Sequence, residues 1–108
     1  MIINNKEFQL DKNGYLADPN EWSLDVAYAF AKSEGIDMSE QHWEVVNFVR
    51  DFYQQYDTSP AIRILVKSLK EKLGPDIGNS RHLHRLFPNG PAKIASKIAG
   101  LPKPAKCL

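Results

Sequence analysis

Cysteine is almost missing from this sequence, which has one such residue, Cys107, among 108. A single cysteine cannot form an internal disulfide bond, which excludes a small secreted fold held together by disulfides. Apolar runs of about 18 residues are also missing, so the sequence predicts no transmembrane helix. The first residues lack the basic start and apolar stretch of a secretory signal peptide. We therefore expect a cytoplasmic protein with no membrane partner.

The sequence also has no glycine-rich phosphate loop, no internal repeat and no low-complexity segment. Its hydrophobic fraction of 43% and charged fraction of 25% are ordinary for a globular protein. A length of 108 residues is within the usual size of one domain. We therefore predict a single domain over residues 1–108.

The charged residues are unevenly distributed along the chain, although the net charge is only +1. Residues 1–57 contain four Lys/Arg and eleven Asp/Glu, whereas residues 58–108 contain ten and two. This asymmetry can mark a basic face for an anionic partner, such as nucleic acid or a protein that holds it. Alternatively, the two halves pack together and their charges largely neutralise each other. The sequence leaves both interpretations open.

Residues 1–17 predict a small β-hairpin. Short apolar runs at residues 2–8 and 15–16 flank Asn13-Gly14, a dipeptide that favours tight turns because both residues tolerate positive φ. Two strands alone are only marginally stable, so the hairpin should pack on helices.

Residues 21–99 predict a helical body, because apolar residues recur at steps of three and four. The predicted helices cover residues 21–33, 39–56, 59–73, 79–87 and 92–99. We expect the second of these helices to be the centre of the core. The predicted fold class is mostly α (α+β): a small orthogonal helical bundle with an N-terminal β-hairpin and a flexible C-terminal arm.

Capping residues support the predicted helix starts. Ser39 is a good N-cap, and either Asn79 or Ser80 can cap the fourth helix. Ser59 is a cap candidate followed by Pro60 at what would be the first helical position. On the first helix we expect an apolar face formed by Leu24, Ala27, Tyr28 and Ala31.

Residues 100–108 predict a mobile arm that carries the only thiol. Gly100 can end the last helix in a left-handed conformation, and Pro102 and Pro104 favour extended backbone. Such a segment can span about 25 Å, enough to bring a sulfur atom into a partner's cleft.

The reactivity of the Cys107 thiol is undecided on chemical grounds. Lys103 and Lys106 favour the reactive thiolate, whereas the terminal carboxylate opposes it and solvent screens both effects. The alternative is an inert cysteine on a frayed terminus, since termini tolerate change.

The sequence contains residues that belong to two other kinds of site, metal sites and nucleic-acid-binding motifs. The three histidines and one cysteine lack the paired spacing of zinc ligands, so we predict no metal site. Helices 59–73 and 79–87 could form a helix-turn-helix, although the intervening segment is longer than the usual three or four residues. A nucleic-acid-binding protein therefore remains an alternative.

Several segments together resemble the DsrC/TusE family of sulfur-relay proteins. They cover nearly the whole chain in order: His42–Tyr53, Thr58–Arg63, Gly78–Arg81, Leu86–Pro88, Gly90–Ala92, Ala99–Pro104 and the penultimate Cys107. The resemblance implies a helical fold with an N-terminal hairpin and a mobile C-terminal arm. DsrC proteins that work with sulfite reductase have a second arm cysteine eleven residues before the penultimate one. Here that position is Ser96, so the chain resembles the TusE branch.

The resemblance implies a sulfurtransferase of the persulfide-carrier kind, with sulfur bound covalently to Cys107 and no other cofactor. The sulfur would come from a TusBCD-like complex. It would pass to a tRNA thiolase, alone or with tRNA bound, for 2-thiolation of the wobble uridine. The candidate docking residues on the arm are Gly100, Pro102, Lys103, Pro104 and Lys106, and the candidates for basic support are Arg63 and Arg81. The alternative is a helix-turn-helix nucleic-acid-binding protein, or a regulatory subunit associated with a sulfite reductase.

Overall fold

Residues 1–104, the part of the chain that the computed structural model describes, form five α-helices behind a two-stranded hairpin. The elements are β1 (Ile2–Ile3), β2 (Lys6–Glu7), α1 (Leu24–Ser33), α2 (Glu40–Tyr56), α3 (Ile62–Leu73), α4 (Ser80–Leu86) and α5 (Pro91–Ile98). A 3-10 turn, Pro19–Glu21, precedes α1. Within residues 1–104, every helix is too short or too polar to cross a bilayer.

The N-terminal hairpin forms, but its turn is not at Asn13-Gly14. Strands β1 and β2 are antiparallel, with Ile3 opposite Lys6. The two residues between them, Asn4 and Asn5, have φ angles of 52° and 67°. Positive φ at both central residues is typical of a type I′ turn, in which asparagine is favoured. The predicted turn at Asn13-Gly14 closes only a single bridge, between Leu10 and Leu16.

Helix α5 lies at the centre of the core, rather than α2 as the sequence suggested. It contacts all four of the other helices. Its apolar side chains Ile94, Ala95 and Ile98 are buried, with Ala95 and Ile98 fully enclosed. Helix α2 contributes Val45, Val46 and Val49 to the same apolar cluster. The C-terminal end of α5 is therefore fixed on several sides, and it is where the predicted arm begins.

Two of the predicted caps are confirmed. The Ser39 side chain accepts from the backbone N–H of His42, and the Ser39 N–H donates to Nδ1 of His42 at 3.0 Å. These reciprocal bonds form a capping box at the start of α2. At α4, Oδ1 of Asn79 accepts from the N–H of His82 at 2.7 Å. Local side-chain chemistry therefore sets both helix starts.

Helix α1 begins later than predicted, because Ser23 is its N-cap. The Ser23 hydroxyl accepts from the N–H of Val26, while Glu21 belongs to the preceding 3-10 turn. The buried face also differs from the predicted one. Leu24 and Tyr28 are exposed, at 58% and 52%, whereas Val26 and Phe30 are buried. With the later start, Leu24 is the first residue of the helix.

Helix α3 also begins later than predicted. Ala61 is at the N-cap position, where no side chain forms a capping hydrogen bond. Pro60 is fully buried before the helix, and Ser59 is buried beside it. The Ser59 hydroxyl does not cap the helix; it donates to the carbonyl of Pro102, near the C-terminus.

Candidate functional site

The C-terminal segment, defined here as residues 100–104, starts at a Schellman motif that ends α5. Gly100 has a φ of +72°, as predicted for a residue that ends a helix in the left-handed conformation. Its N–H donates to the carbonyl of Lys97 at 3.1 Å, and the N–H of Leu101 donates to the carbonyl of Ser96 at 3.0 Å. These two bonds satisfy carbonyls that the helix itself leaves unpaired. The chain therefore leaves α5 in a defined direction.

Trp22 and Arg50 hold the last turn of α5. Trp22 Nε1 donates to the carbonyl of Ile98 at 2.8 Å, and Arg50 Nη1 donates to the carbonyl of Ala99 at 3.0 Å. The Arg50 guanidinium carbon lies 3.8 Å from the centre of the Trp22 ring, in cation–π geometry. The ring also lies directly against Gly100. These side chains bind the remaining free carbonyls at the base of the C-terminal segment.

Partial burial affects the charge of Arg50. Desolvation lowers the pKa of the Arg50 guanidinium from its ordinary value, and the Asp51 carboxylate opposes this shift. The guanidinium still carries its charge at neutral pH, since arginine is not deprotonated in proteins. The base of the C-terminal segment therefore contains a fixed positive charge that is partly screened from water.

The C-terminal segment packs on the body instead of leaving it at Gly100. Leu101 is buried at 3% exposure, and Pro104 is also buried, whereas Pro102 and Lys103 are exposed. The sequence predicted an extended arm from residue 100 onward, whereas residues 101 and 104 are buried against the body. The predicted sulfur site, Cys107, and the predicted docking residue Lys106 lie outside the described residues.

Ser59 anchors the middle of the C-terminal segment. Its Oγ donates to the carbonyl of Pro102 at 2.8 Å. The bond joins residues 43 positions apart and holds the segment against the start of α3. Ser59, which the sequence predicted to be a helix cap, therefore holds the segment that leads to Cys107.

Ser96 lies within α5 and not in the arm. Its side chain is fully buried, and its hydroxyl has no hydrogen-bond partner among the described residues. A buried polar group without a partner is destabilising, because it loses its bonds to water and gains none in return. This position thus has a polar side chain in an apolar setting.

Ser96→Ala is expected to raise the free energy of unfolding by about 1 kcal/mol, because it removes the unpaired hydroxyl and introduces the best helix former. The measurement is urea unfolding followed by circular dichroism. The matched control is Ser68→Ala on α3, where the side chain is only half-buried and the expected change is smaller. A loss of stability in Ser96→Ala would indicate that the hydroxyl makes a bond.

The two candidate basic residues lie on neighbouring helices. Arg63 is exposed in the first turn of α3, where it lines a surface groove with Lys67 and Ser80. Arg81 is exposed in the first turn of α4, next to Ser80 in the chain. The structure therefore places both on the α3–α4 surface, whereas Gly100 lies against Trp22 at the end of α5.

The helix-turn-helix alternative does not match the α3–α4 geometry. Residues 74–79 separate the two helices, which is longer than the three or four residues of the DNA-reading motif. Helix α4, which would be the reading helix, has only seven residues. Among residues 1–104, no cluster of three or more His, Cys, Asp or Glu side chains is arranged to hold a metal ion.

The sequence reasoning missed Trp22, Arg50 and Ser59 as supports of the C-terminal segment. No local pattern marked Arg50, because it follows the buried Val49 by one position and successive helix residues point to different faces. For Ser59 the signal was misleading, because Ser-Pro before an apolar run is typical of a helix start.

These features define a class of protein: a small helical bundle whose last helix ends in a Schellman motif and whose C-terminal segment is held in place by Trp22, Arg50 and Ser59. The model of the family described as DsrC like protein matches residues 2–108. The chain belongs to the DsrC-like family, which confirms the resemblance seen in its sequence.

Full-length relatives support a role in sulfur transfer. The chain is 61% identical over 106 residues to "Sulfurtransferase TusE homolog" of Haemophilus influenzae, covering 98% of this chain and 97% of that protein. It is 56% identical over 108 residues to "Sulfurtransferase TusE" of Escherichia coli K12, covering 100% and 99%. These relatives agree with the predicted TusE-like branch.

Solved structures confirm the predicted fold class. The NMR structure of Allochromatium vinosum DsrC superimposes with a TM-score of 0.89 at 44% identity, covering 100% of this chain and 96% of that one. The oxidized gamma-subunit of the dissimilatory sulfite reductase (DsrC) from Archaeoglobus fulgidus gives 0.86 at 40% identity, covering 100% and 98%.

Proposed function

We propose that this protein is a persulfide carrier that accepts sulfur on Cys107 and delivers it to a tRNA thiolase. The observation that carries the proposal is the full-length identity of 56–61% to proteins named sulfurtransferase TusE. The chain's single cysteine is its one thiol for such a role. The donor in this proposal is a TusBCD-like complex, and the product is the 2-thiolated wobble uridine of tRNA.

The proposed chemistry consists of two sulfur transfers that resemble thiol–disulfide exchange. The Cys107 thiolate attacks the outer sulfur of a donor persulfide, R–S–SH, forming Cys107–S–SH and releasing the donor thiolate. The acceptor's cysteine thiolate then attacks the outer sulfur of Cys107–S–SH, and the Cys107 thiolate leaves. Each step breaks one sulfur–sulfur bond and forms another, so no external oxidant or reductant is consumed. The proton lost when the attacking thiol ionises is balanced by the proton that the departing thiolate takes up.

Having one thiol suits a carrier of this kind. A second cysteine near Cys107 could attack the inner sulfur of the persulfide and release sulfide before the acceptor arrives. Ser96, at the position where some relatives have a cysteine, cannot do this, because its hydroxyl does not ionise at neutral pH and does not attack sulfur as a thiolate does. In the proposal, Lys103 and Lys106 support the thiolate or contact the partner, and Gly100, Pro102 and Pro104 set the course of the arm.

The interactions around the C-terminal segment support a carrier more than a free, unstructured tail. Trp22, Arg50 and Ser59 fix the backbone as far as Pro102, five residues before Cys107. A thiol five residues beyond a fixed point of the backbone samples a smaller volume than a thiol on a tail that is unattached from residue 100 onward. This raises its effective concentration at a docked partner.

The test is the intact mass of the protein after incubation with cysteine, a cysteine desulfurase and the purified upstream relay proteins. The wild-type chain is expected to gain one sulfur atom, and reductant should remove it. The Cys107→Ser variant should show no gain under the same conditions, and Ser96→Ala should behave as the wild type does. If every upstream partner is charged with sulfur and the wild-type mass does not change, the carrier mechanism is wrong.

A further inference from the structure

A groove of about 500 Å³ lies on the outer side of α3. Its floor is apolar and formed by Ile62 and Val66, both half-buried against the core. Its rim is basic, because Arg63, Lys67 and Lys70 are exposed along the same helix, and Ser80 closes it from the start of α4. The groove therefore combines an apolar surface with positive charge on one side of the molecule.

Within the described part of the chain, no carboxylate forms an ion pair with the cations of this rim. The ion pairs among residues 1–104 are Lys6–Glu21 and Lys97–Glu34, and neither involves the groove. Within the described residues 1–104, Lys97–Glu34 is the one ion pair that joins the acidic N-terminal half to the basic C-terminal half. Of the two interpretations of the charge asymmetry, a basic face agrees with this geometry better than mutual neutralisation.

The groove begins beside the anchor of the C-terminal segment. Ser59, which holds the carbonyl of Pro102, precedes the floor residue Ile62 by three positions. A molecule seated on α3 would therefore lie close to the segment that leads to Cys107.

We propose that this groove docks an acidic, amphipathic segment of a protein that exchanges sulfur with Cys107. The inference rests on the proposed function and specifies how a partner is recognised. Acidic side chains of the partner would face Arg63, Lys67 and Lys70, while its apolar side chains would cover Ile62 and Val66. Helix-in-groove recognition uses this combination of an apolar face and flanking charges. Nucleic acid fits less well, because a phosphate backbone uses the cations but leaves the apolar floor without a partner.

The test measures binding of the full-length protein to three purified probes: the TusBCD-like donor complex, the tRNA thiolase and the tRNA alone. The first variant, Lys67→Glu/Lys70→Glu, reverses the rim charge. The second, Ile62→Thr/Val66→Thr, makes the floor polar; Val66→Thr keeps the side-chain shape, and Ile62→Thr also removes one methyl group. The matched control is Lys12→Glu/Lys32→Glu, which makes the same charge change at exposed positions outside the groove.

We expect the rim variant to weaken binding to at least one protein probe tenfold or more, and the floor variant to weaken the same binding at least threefold. The control should stay within twofold of the wild type. Circular dichroism confirms that each variant is folded. The inference is wrong if wild-type protein binds neither protein probe, if rim and control variants behave alike, or if only tRNA binding changes and the floor variant has no effect.

Sulfur loading separates this inference from the proposed function. If Cys107 gains sulfur normally but the groove variants bind both protein probes as the wild type does, the docking site is wrong and the carrier role stands. If Cys107 gains no sulfur from charged partners, the carrier role fails whatever the groove binds.

Discussion

Replacing Gly100 with alanine is expected to lower the free energy of unfolding by about 3 kcal/mol, from two additive causes. Gly100 has a φ of +72°, where a residue with a Cβ is strained by about 1–2 kcal/mol. The added Cβ would also overlap the Trp22 ring, at 2.8 Å from Cγ and closer still to Cδ1. Trp22 cannot move away freely, because its Nε1 is bonded to the carbonyl of Ile98 and Arg50 covers its ring. Urea unfolding of the wild type and the variant measures the difference.

Gly35→Ala is the matched control for this substitution. Gly35 has a similar φ of +70°, but a Cβ there would meet nothing within 4 Å. Its expected cost is the backbone strain alone, about 1–2 kcal/mol. Equal losses in the two variants would mean that the contact between Gly100 and Trp22 does not contribute. A larger loss at Gly100 supports the tight packing at the base of the C-terminal segment.

Replacing Gly78 with alanine is expected to lower the free energy of unfolding by about 4 kcal/mol, beyond the usual range for overpacking. A Cβ at this position would overlap backbone atoms of Lys70, and it would lie 2.6 Å from the carbonyl carbon of Leu69. These atoms belong to the last turn of α3, and hydrogen-bonded helix backbone cannot rotate out of the way as a side chain can. The loop 74–79 would have to separate from α3, and with it α4 would shift. Thermal and urea unfolding report the loss.

Gly74→Ala provides the comparison within the same loop. Gly74 caps α3 with a φ of +90°, and a Cβ there would meet nothing within 4 Å. It should therefore cost about 1–3 kcal/mol from backbone strain alone, since its ψ of 170° also lies in a region that essentially only glycine adopts. Because Ser80 lines the α3 groove, Gly78→Ala should also weaken partner binding, whereas Gly74→Ala should not. A Gly78→Ala protein as stable as Gly74→Ala would contradict the close approach of loop and helix.

Helix starts that depend on neighbouring residues could be predicted, and those that depend on distant partners could not. Ser39 and Asn79 bond to N–H groups three residues ahead, which a sequence pattern reveals. Ser59 looks equivalent, yet its hydroxyl bonds to Pro102, 43 residues later. The local signal was the same in all three, and only the tertiary contact distinguishes the third.

The hairpin turn and the buried face of α1 also could not be predicted from local sequence patterns alone. Asn-Gly is the stronger turn signal, but Asn4-Asn5 forms the two-residue turn because asparagine also adopts positive φ. On α1, the periodicity was correct and the face was not. Ala27 and Ala31 are buried as expected, but the large side chains that join them are Val26 and Phe30. A spacing of three and four does not specify which neighbouring stripe faces the core.

The candidate site was predictable only in its chemistry. The thiol and the prolines that precede it are visible in the sequence. The side chains that hold this segment are Trp22 before α1, Arg50 on α2 and Ser59 just before α3. Only the fold brings these three residues together. Arg50 is an example, because its role depends on stacking over a tryptophan 28 positions earlier in the chain. No local pattern encodes such a pairing.

The position of Trp22 gives this protein an optical reporter of its own. Its indole ring touches Gly100, donates to Ile98 and lies under the Arg50 cation, so any change at the base of the C-terminal segment alters its surroundings. The other tryptophan, Trp43, packs edge-on against Tyr28 on a different part of the surface. A Trp43→Phe protein would therefore emit from this one position. Its fluorescence would follow partner engagement in real time without a dye, leaving the single thiol unmodified.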